Sequence, residues 1–110
     1  MCHSLHNAMS VTRKKTREYF TRQGYTIDKV DCWNAYSGKT KDLFSVFDMV
    51  AVKEGEVVFI QICGKDFQPH VGKMKASPVV SMLSKMENIT VMLIGWRKLK
   101  GKWTPRIKIF

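Results

Sequence analysis

The chain has 110 residues and carries 19 Lys and Arg against 9 Asp and Glu, a formal net charge of +10. This length predicts a single domain, and a content of 45% hydrophobic residues is enough for a folded core, which excludes an intrinsically disordered chain. The excess positive charge lies mainly in residues 56–110, which hold 10 basic and 3 acidic side chains. A polyanion such as nucleic acid is therefore the expected partner.

Two further features bear on the location of the protein. No apolar run approaches the roughly 18 residues of a membrane span, and the N-terminal residues lack the apolar core of a secretory signal. The three cysteines at positions 2, 32 and 63 form no C-x-x-C pair, which favours reduced thiols over a disulfide or zinc framework. We expect a cytoplasmic protein with no membrane contact, with residues 1–10 as a flexible leader and residues 11–110 as the domain.

The N-terminal half of the domain is predicted to begin with a basic helix. Residues 12–23 contain no Gly or Pro and end at Gly24, a typical helix stop. Residues 24–33 alternate like a strand, with a change of phase near Lys29 that indicates a bulge or bend. Residues 34–45 are predicted to form a loop.

Two apolar runs predict a central hairpin. Val46–Val52 and Val57–Cys63 are joined by a short turn at Gly55, and their nearly continuous apolarity is typical of buried strands. Each strand contains one polar residue, Asp48 in the first and Gln61 in the second.

The C-terminal half is predicted to contain one helix and two strands. The later part of residues 70–87 has helical spacing, with Pro78 in its first turn or at a break before it. A buried strand at 89–96, a basic loop at 97–102 and an edge strand at 103–110 follow. The order is α-β-β-β-α-β-β, which predicts an α/β protein whose mixed sheet of about five strands is flanked by helices.

Asp48 and Gln61 are the first candidate site. A turn centred on Gly55 places them opposite or nearly opposite each other on adjacent strands. Carboxylate and amide oxygens that converge in this way can bind a hard divalent cation, which in turn can activate a water molecule and stabilise charge on a phosphate. A structural hydrogen bond between Asp48 and Gln61 is the alternative.

The segment FDMVAVKEGEVVFIQIC resembles the motif of the PD-(D/E)XK nuclease superfamily, the restriction-endonuclease-like fold that includes Holliday junction resolvases. Asp48 matches the motif Asp, Gln61 stands at its second acidic position, and Cys63 stands where a Lys is expected. The pieces DLFSVFD, FIQIC and GWRKLKGKWTPR are also similar to small phage-borne relatives. The resemblance implies a Mg²⁺-dependent (or Mn²⁺-dependent) DNA endonuclease, resolvase-like on branched DNA, that acts as a homodimer and is encoded by a phage or virus.

The departures from the motif define the candidate residues and the alternatives. Lys65 is the candidate replacement for the missing Lys, which makes Asp48, Gln61 and Lys65 the catalytic set. Asp42 is a further metal ligand, or a residue with a role in its loop. Because Gln61 is neutral and Cys63 cannot replace a Lys, the alternative is a degenerate nuclease fold that only binds nucleic acid. A basic accessory protein that binds another protein is a third possibility.

Basic side chains without compensating acids predict a track for phosphates. Trp96 and Trp103 could stack on bases or belong to the core, and His70 could act as a general base or belong to its loop. The candidate nucleic-acid-binding residues are Arg13, Lys14, Lys39, Lys41, Lys73, Lys75, Arg97, Lys98, Lys100 and Lys102.

Overall fold

The structure is a computed structural model that describes residues 11–34 and 36–110. The predicted leader, residues 1–10, lies outside the described residues. Among the described helices, none is long and apolar enough to cross a membrane. The elements in chain order are α1 (Val11–Arg22), β1 (Thr26–Lys29), β2 (Cys32–Asn34), β3 (Lys39–Lys41), β4 (Met49–Lys53), β5 (Glu56–Cys63), α2 (Phe67–Lys75), α3 (Pro78–Ser84), β6 (Ile89–Leu99) and β7 (Lys102–Ile109).

Five of the strands form one mixed sheet in the order β1-β4-β5-β6-β7. The neighbours are antiparallel except β5 and β6, which run parallel because α2 and α3 carry the chain across between them. The short strands β2 and β3 pair in a separate hairpin. A mixed five-stranded sheet with helices confirms the predicted α/β class.

The helices cover opposite faces of this sheet. On one face, Phe20 of α1 packs against a buried cluster that includes Ile60 and Trp96. The indole Nε1 of Trp96 donates a hydrogen bond of 2.9 Å to the hydroxyl of Thr16, which fixes α1 against β6. On the other face, Met74 of α2 and Val80 of α3 pack in a second buried cluster. β5 and β6 therefore contribute side chains to both clusters.

Three predicted elements of the N-terminal half are wrong in detail. Residues 24–33 are not one bent strand but β1 and β2, which pair with different partners. Residues 34–45, predicted as a loop, include β3. The first hairpin strand begins at Met49 rather than Val46, because a bridge between Leu43 and Phe47 closes a tight turn there. Asp48 therefore stands directly before the strand and not in its middle.

The predicted single helix within residues 70–87 is two helices. The first begins at Phe67, inside the segment predicted as a loop, and the second begins at Pro78, where Ser77 is the N-cap and accepts a hydrogen bond from the amide of Val80. The predicted order is thus corrected to include an extra hairpin and an extra helix. The final edge strand is confirmed, although β6 extends to Leu99.

Candidate metal centre

A tight loop holds Asp42 and Asp48 at its two ends. The amide of Leu43 donates to the carbonyl of Phe47 at 3.1 Å, and the amide of Phe47 donates back to Leu43 at 2.9 Å. The loop closes only because Phe44 and Ser45 adopt left-handed backbone conformations, with φ of 55° and 61°. The fully buried ring of Phe47 anchors the loop in the core.

Asp48 is fixed against β5 by its backbone and by its side chain. Its amide donates to the carbonyl of Ile60 at 2.8 Å, and its Oδ2 accepts a hydrogen bond of 2.9 Å from the amide of Ile62. The pairing of β4 with β5 ends at Met49 and Ile60, and Asp48 follows directly, bonded to the two neighbours of Gln61 on β5. The opposition of Asp48 and Gln61 stays a prediction.

A third carboxylate, which the sequence did not predict, joins this pair. Asp31 lies between β1 and β2 and is only 4% exposed. One oxygen from each of Asp31, Asp42 and Asp48 lies within 4.8 Å of the other two, and we call these three residues the acid cluster. The change of phase after Lys29 was the one signal of this junction, because a chain that leaves a sheet there can turn an acid inward.

Arg13, predicted to contact nucleic acid, belongs to the surroundings of the acid cluster. Its Nη1 donates to Oδ1 of Asp31 at 3.2 Å, and its Nη2 forms an ion pair with Oδ2 of the same carboxylate. This two-point contact is the geometry in which arginine binds carboxylates best. It compensates the charge of Asp31 and joins α1 to the acid cluster.

Burial and neighbouring charges raise the pKa of two carboxyl groups of the acid cluster, Asp42 and Asp48. Burial raises the pKa of Asp48 to about 7, and the charges of Asp42 and Asp31 raise it further, against the opposing effects of the Ile62 amide and Arg13. Burial also raises the pKa of Asp42, which accepts a hydrogen bond from Asp48. Near neutral pH the protein therefore holds a proton where a cation could replace it.

A pocket of about 210 Å³ lies beside Asp42 and Gln61. Nε2 of Gln61 donates to the carbonyl of Ile62 at 3.1 Å, which directs the amide nitrogen to the main chain and leaves Oε1 as the available acceptor. The remaining lining residues are Ser45, Val46, His70, Lys73 and Met74. The imidazole Nδ1 of His70 lies 2.9 Å from the carbonyl of Asp66 and 3.2 Å from its carboxylate, which fixes the ring.

The structure does not bring Lys65 to this pocket. Lys65 lines a different pocket with Arg97 and Arg106, and the two pockets share no lining residue. The cation that lines the same pocket as Asp42 and Gln61 is Lys73. Cys63, at the position of the motif Lys, is buried, and burial raises the pKa of its thiol to about 11, as expected for an unreactive core cysteine.

The remaining candidate residues are mostly at the surface. Trp96 is buried and belongs to the core. Nζ of Lys98 lies 5.2 Å from the ring centroid of Trp103 and covers one face of that ring. Lys39 is part of β3, but its side chain is not among those described. The exposed candidates are Lys14, Lys41, Lys73, Lys75, Arg97, Lys98, Lys100 and Lys102.

The donor set of the centre fits a hard divalent cation. Asp42, Asp48 and Gln61 offer only oxygen ligands, which Mg²⁺ and Mn²⁺ prefer. Asp31 adds charge next to them but is held by Arg13. A cation would oppose the burial and the carboxylate repulsion that raise the pKa of Asp48.

Comparison of the chain with protein-family models, with curated proteins and with solved structures found no match.

Proposed function

We propose that this protein is a Mg²⁺- or Mn²⁺-dependent DNA endonuclease of the restriction-endonuclease-like type, active on DNA that includes branched forms. One observation carries the proposal: one carboxylate oxygen from each of Asp31, Asp42 and Asp48 lies within 4.8 Å of the other two, and Asp42 also lines a polar pocket. Grouping like charges in a partly buried place costs stability unless protons or a cation compensate them. Such an arrangement is typical of a functional centre.

The topology supports the same proposal. The resemblance implies a basic helix, a strand, a hairpin, a helix and two more strands, and α1, β1, β4, β5, α2, β6 and β7 run in this order. Asp48 stands directly before β4, and Gln61 lies on β5. The hairpin of β2 and β3, which lies between β1 and β4 in the chain, is an addition to the order that the resemblance implies, and Asp31 directly precedes it.

Each residue of the centre has a distinct role in the proposal. Asp48, Asp42 and Gln61 hold the metal ion, which when bound lowers the pKa of a water molecule and neutralises phosphate charge. Lys73 replaces Lys65 as the cation beside the scissile phosphate, because it lines the same pocket as Asp42. His70, with its Nδ1 held by Asp66, is placed to take a proton through its other nitrogen.

A second candidate function has its own supporting observation. Arg13 already neutralises part of the acid cluster, and the position of the motif Lys is a buried cysteine. A protein of this kind would bind nucleic acid through its exposed lysines and arginines without cutting it. The two functions share the basic surface and differ only at the acid cluster.

The decisive experiment is cleavage of supercoiled, linear and four-way-junction DNA in Mg²⁺, in Mn²⁺ and in EDTA. Asp48→Asn keeps an oxygen acceptor for the Ile62 amide but removes the charge that holds the metal, so we expect at least a roughly 100-fold loss of cleavage. Asp28→Asn is the matched control, because Asp28 is an exposed acid whose partner is Arg17. DNA binding in EDTA should survive both changes.

Two outcomes separate the candidate functions. Metal-dependent cleavage that Asp48→Asn abolishes supports the nuclease, whereas DNA binding without cleavage in either metal supports the binding protein. Light scattering of the purified chain tests the homodimer, which we propose because a resolvase-like enzyme cuts two strands symmetrically.

A further inference from the structure

A second pocket, of about 180 Å³, opens next to the end of β5. One water molecule needs roughly 10–15 Å³ of such space, so the pocket has room for a polyatomic group. It is lined by Gly64, Lys65, Gly95, Trp96, Arg97 and Arg106. Three of these residues are cations and none is an acid, and we call this the basic pocket.

Arg106 is held in the basic pocket by packing rather than by an acid. It pairs with Gly95 across β6 and β7, and its guanidinium carbon lies 4.3 Å from the ring centroid of Phe67. The ring fits there because Gly95 has no side chain: an added Cβ would lie 2.7 Å from the ring. Cation–π packing of this kind fixes the plane of the guanidinium.

The charge of the basic pocket is left uncompensated by the described residues. Nε of Arg106 is buried and has no hydrogen-bond partner among the described residues. Neither Lys65 nor Arg97 forms an ion pair with an acid in the described part of the chain. Asp66 follows Lys65 but is not a lining residue, and its carboxylate lies 3.2 Å from His70.

We propose that the basic pocket binds a phosphate group of the nucleic acid. A buried donor without a partner is costly, and a phosphate oxygen is the acceptor that guanidinium groups bind best. The inference rests on the proposed function only for the source of the phosphate. Two sources share this chemistry, a phosphate within the backbone and a terminal phosphomonoester.

The position of the basic pocket relates it to the metal centre. Gln61 pairs with Leu93, and Cys63, two residues further along β5, pairs with Gly95, which in turn pairs with Arg106. Cys63 lies about 6.6 Å further along β5 than Gln61, and Gly95, its pairing partner, lines the basic pocket. A nucleic-acid strand that occupies the proposed metal centre can therefore extend to the basic pocket.

Binding of duplex oligonucleotides in EDTA tests this inference without any cleavage step. The duplexes are identical except for a 5′-phosphate or a 5′-hydroxyl, and the variants are Arg106→Gln and Arg97→Gln. Lys85→Gln is the control, because it removes one exposed charge at the C-terminal end of α3, outside the basic pocket. Since Arg106 packs on Phe67, Arg97→Gln, at an exposed side chain, keeps the test valid if Arg106→Gln unfolds.

We expect each variant of the basic pocket to weaken binding roughly tenfold or more, against a much smaller loss for Lys85→Gln. An equal loss on both duplexes identifies a backbone phosphate, and a loss confined to the 5′-phosphorylated duplex identifies a terminal one. If neither variant weakens binding more than Lys85→Gln, the basic pocket does not bind phosphate.

A thermal unfolding assay separates this inference from the proposed function. Inorganic phosphate, compared with chloride at equal ionic strength, should raise the unfolding temperature of the wild-type chain and of Lys85→Gln. The rise should be absent in Arg97→Gln. This assay needs neither DNA nor metal, so it supports or overturns the basic pocket even if the protein neither binds nor cuts nucleic acid.

Discussion

The acid cluster and the basic pocket both lie near the C-terminal end of β5, where Ile62 bonds to Asp48 and Gly64 lines the basic pocket, yet their charges are compensated in different ways. In the acid cluster, Asp31 is bound by Arg13, and Asp48 accepts the Ile62 amide and donates to Asp42. In the basic pocket, Lys65, Arg97 and Arg106 have no acidic lining residue. Carboxylates that lie partly in the core must be paired or protonated, whereas Lys65 and Arg97, which are exposed, remain hydrated until an anion binds, and only Nε of Arg106 is buried without a partner among the described residues.

The largest effect on stability is expected from breaking the pair that compensates the acid cluster. Arg13→Gln leaves Asp31 buried with no opposite charge beside it, so we expect the free energy of unfolding to fall by about 3 kcal/mol. Chemical denaturation measures this change. The double variant Arg13→Gln with Asp31→Asn should recover most of the loss, and an equally unstable double variant would contradict the ion pair as the cause.

A smaller and pH-dependent effect is expected from Asp48. Its pKa is near 4 in the unfolded chain and about 7 in the folded protein, so ionisation opposes folding. Wild-type stability should fall as the pH rises from 4 to 7, while Asp48→Asn lacks this loss. The raised pKa corresponds to a loss of at most about 4 kcal/mol in the free energy of unfolding. At pH 8 in EDTA we expect the free energy of unfolding of Asp48→Asn to exceed that of the wild type by about 2 kcal/mol.

The measurement is chemical denaturation of both proteins at several pH values without divalent metal. The two curves should converge toward pH 4, where Asp48 is protonated in both states. A constant difference across the whole pH range would contradict the raised pKa. Addition of Mg²⁺ at pH 8 should stabilise the wild type and not Asp48→Asn, which tests the metal centre in the same experiment.

The smallest effect is expected on the basic side of the comparison. Lys100 and Gly101 form the two-residue turn between β6 and β7, both with positive φ, at 51° and 80°. Asn tolerates this conformation better than Lys, so Lys100→Asn should raise stability by about 0.5 kcal/mol. The same change removes one of the proposed phosphate contacts, so the slope of DNA affinity against salt concentration should decrease by the contribution of about one charge.

Thermal unfolding together with binding titrations at several salt concentrations measures both effects of Lys100→Asn. Lys100→Arg, which keeps the charge and the strain, is the control and should change neither quantity. Unchanged salt dependence in Lys100→Asn would exclude this turn from the interface. Lower stability would contradict the conformational strain at this residue.

The sequence predicted those parts of the protein that depend on local signals. Gly24 ends α1, and Gly55 has a φ of 81° in the turn that sets the register of β4 against β5. Continuous apolar runs identified β4, β5 and β6 because strands buried on both faces need them. The alternation of apolar and polar residues in 103–110 predicted the edge strand β7.

The parts that the sequence did not predict depend on tertiary packing. Asp31 reaches the acid cluster because β1 and β2 separate, which no local pattern specifies. Lys73 and Lys65 are both ordinary basic residues in the sequence, and only the placement of α2 decides which one lies beside Asp42. The left-handed backbone of Phe44 and Ser45 could not be predicted from the sequence, because neither residue type favours that conformation.

The closed loop from Asp42 to Asp48 makes the spacing of these two carboxylates a property of seven consecutive residues. Its own backbone hydrogen bonds between Leu43 and Phe47 set that spacing. A one-residue insertion or deletion here would misplace one carboxylate relative to the other. Asp31, in contrast, arrives only when the sheet and α1 have come together. The acid cluster thus combines two carboxylates whose spacing is set within one short loop with a third, Asp31, whose position depends on the complete fold.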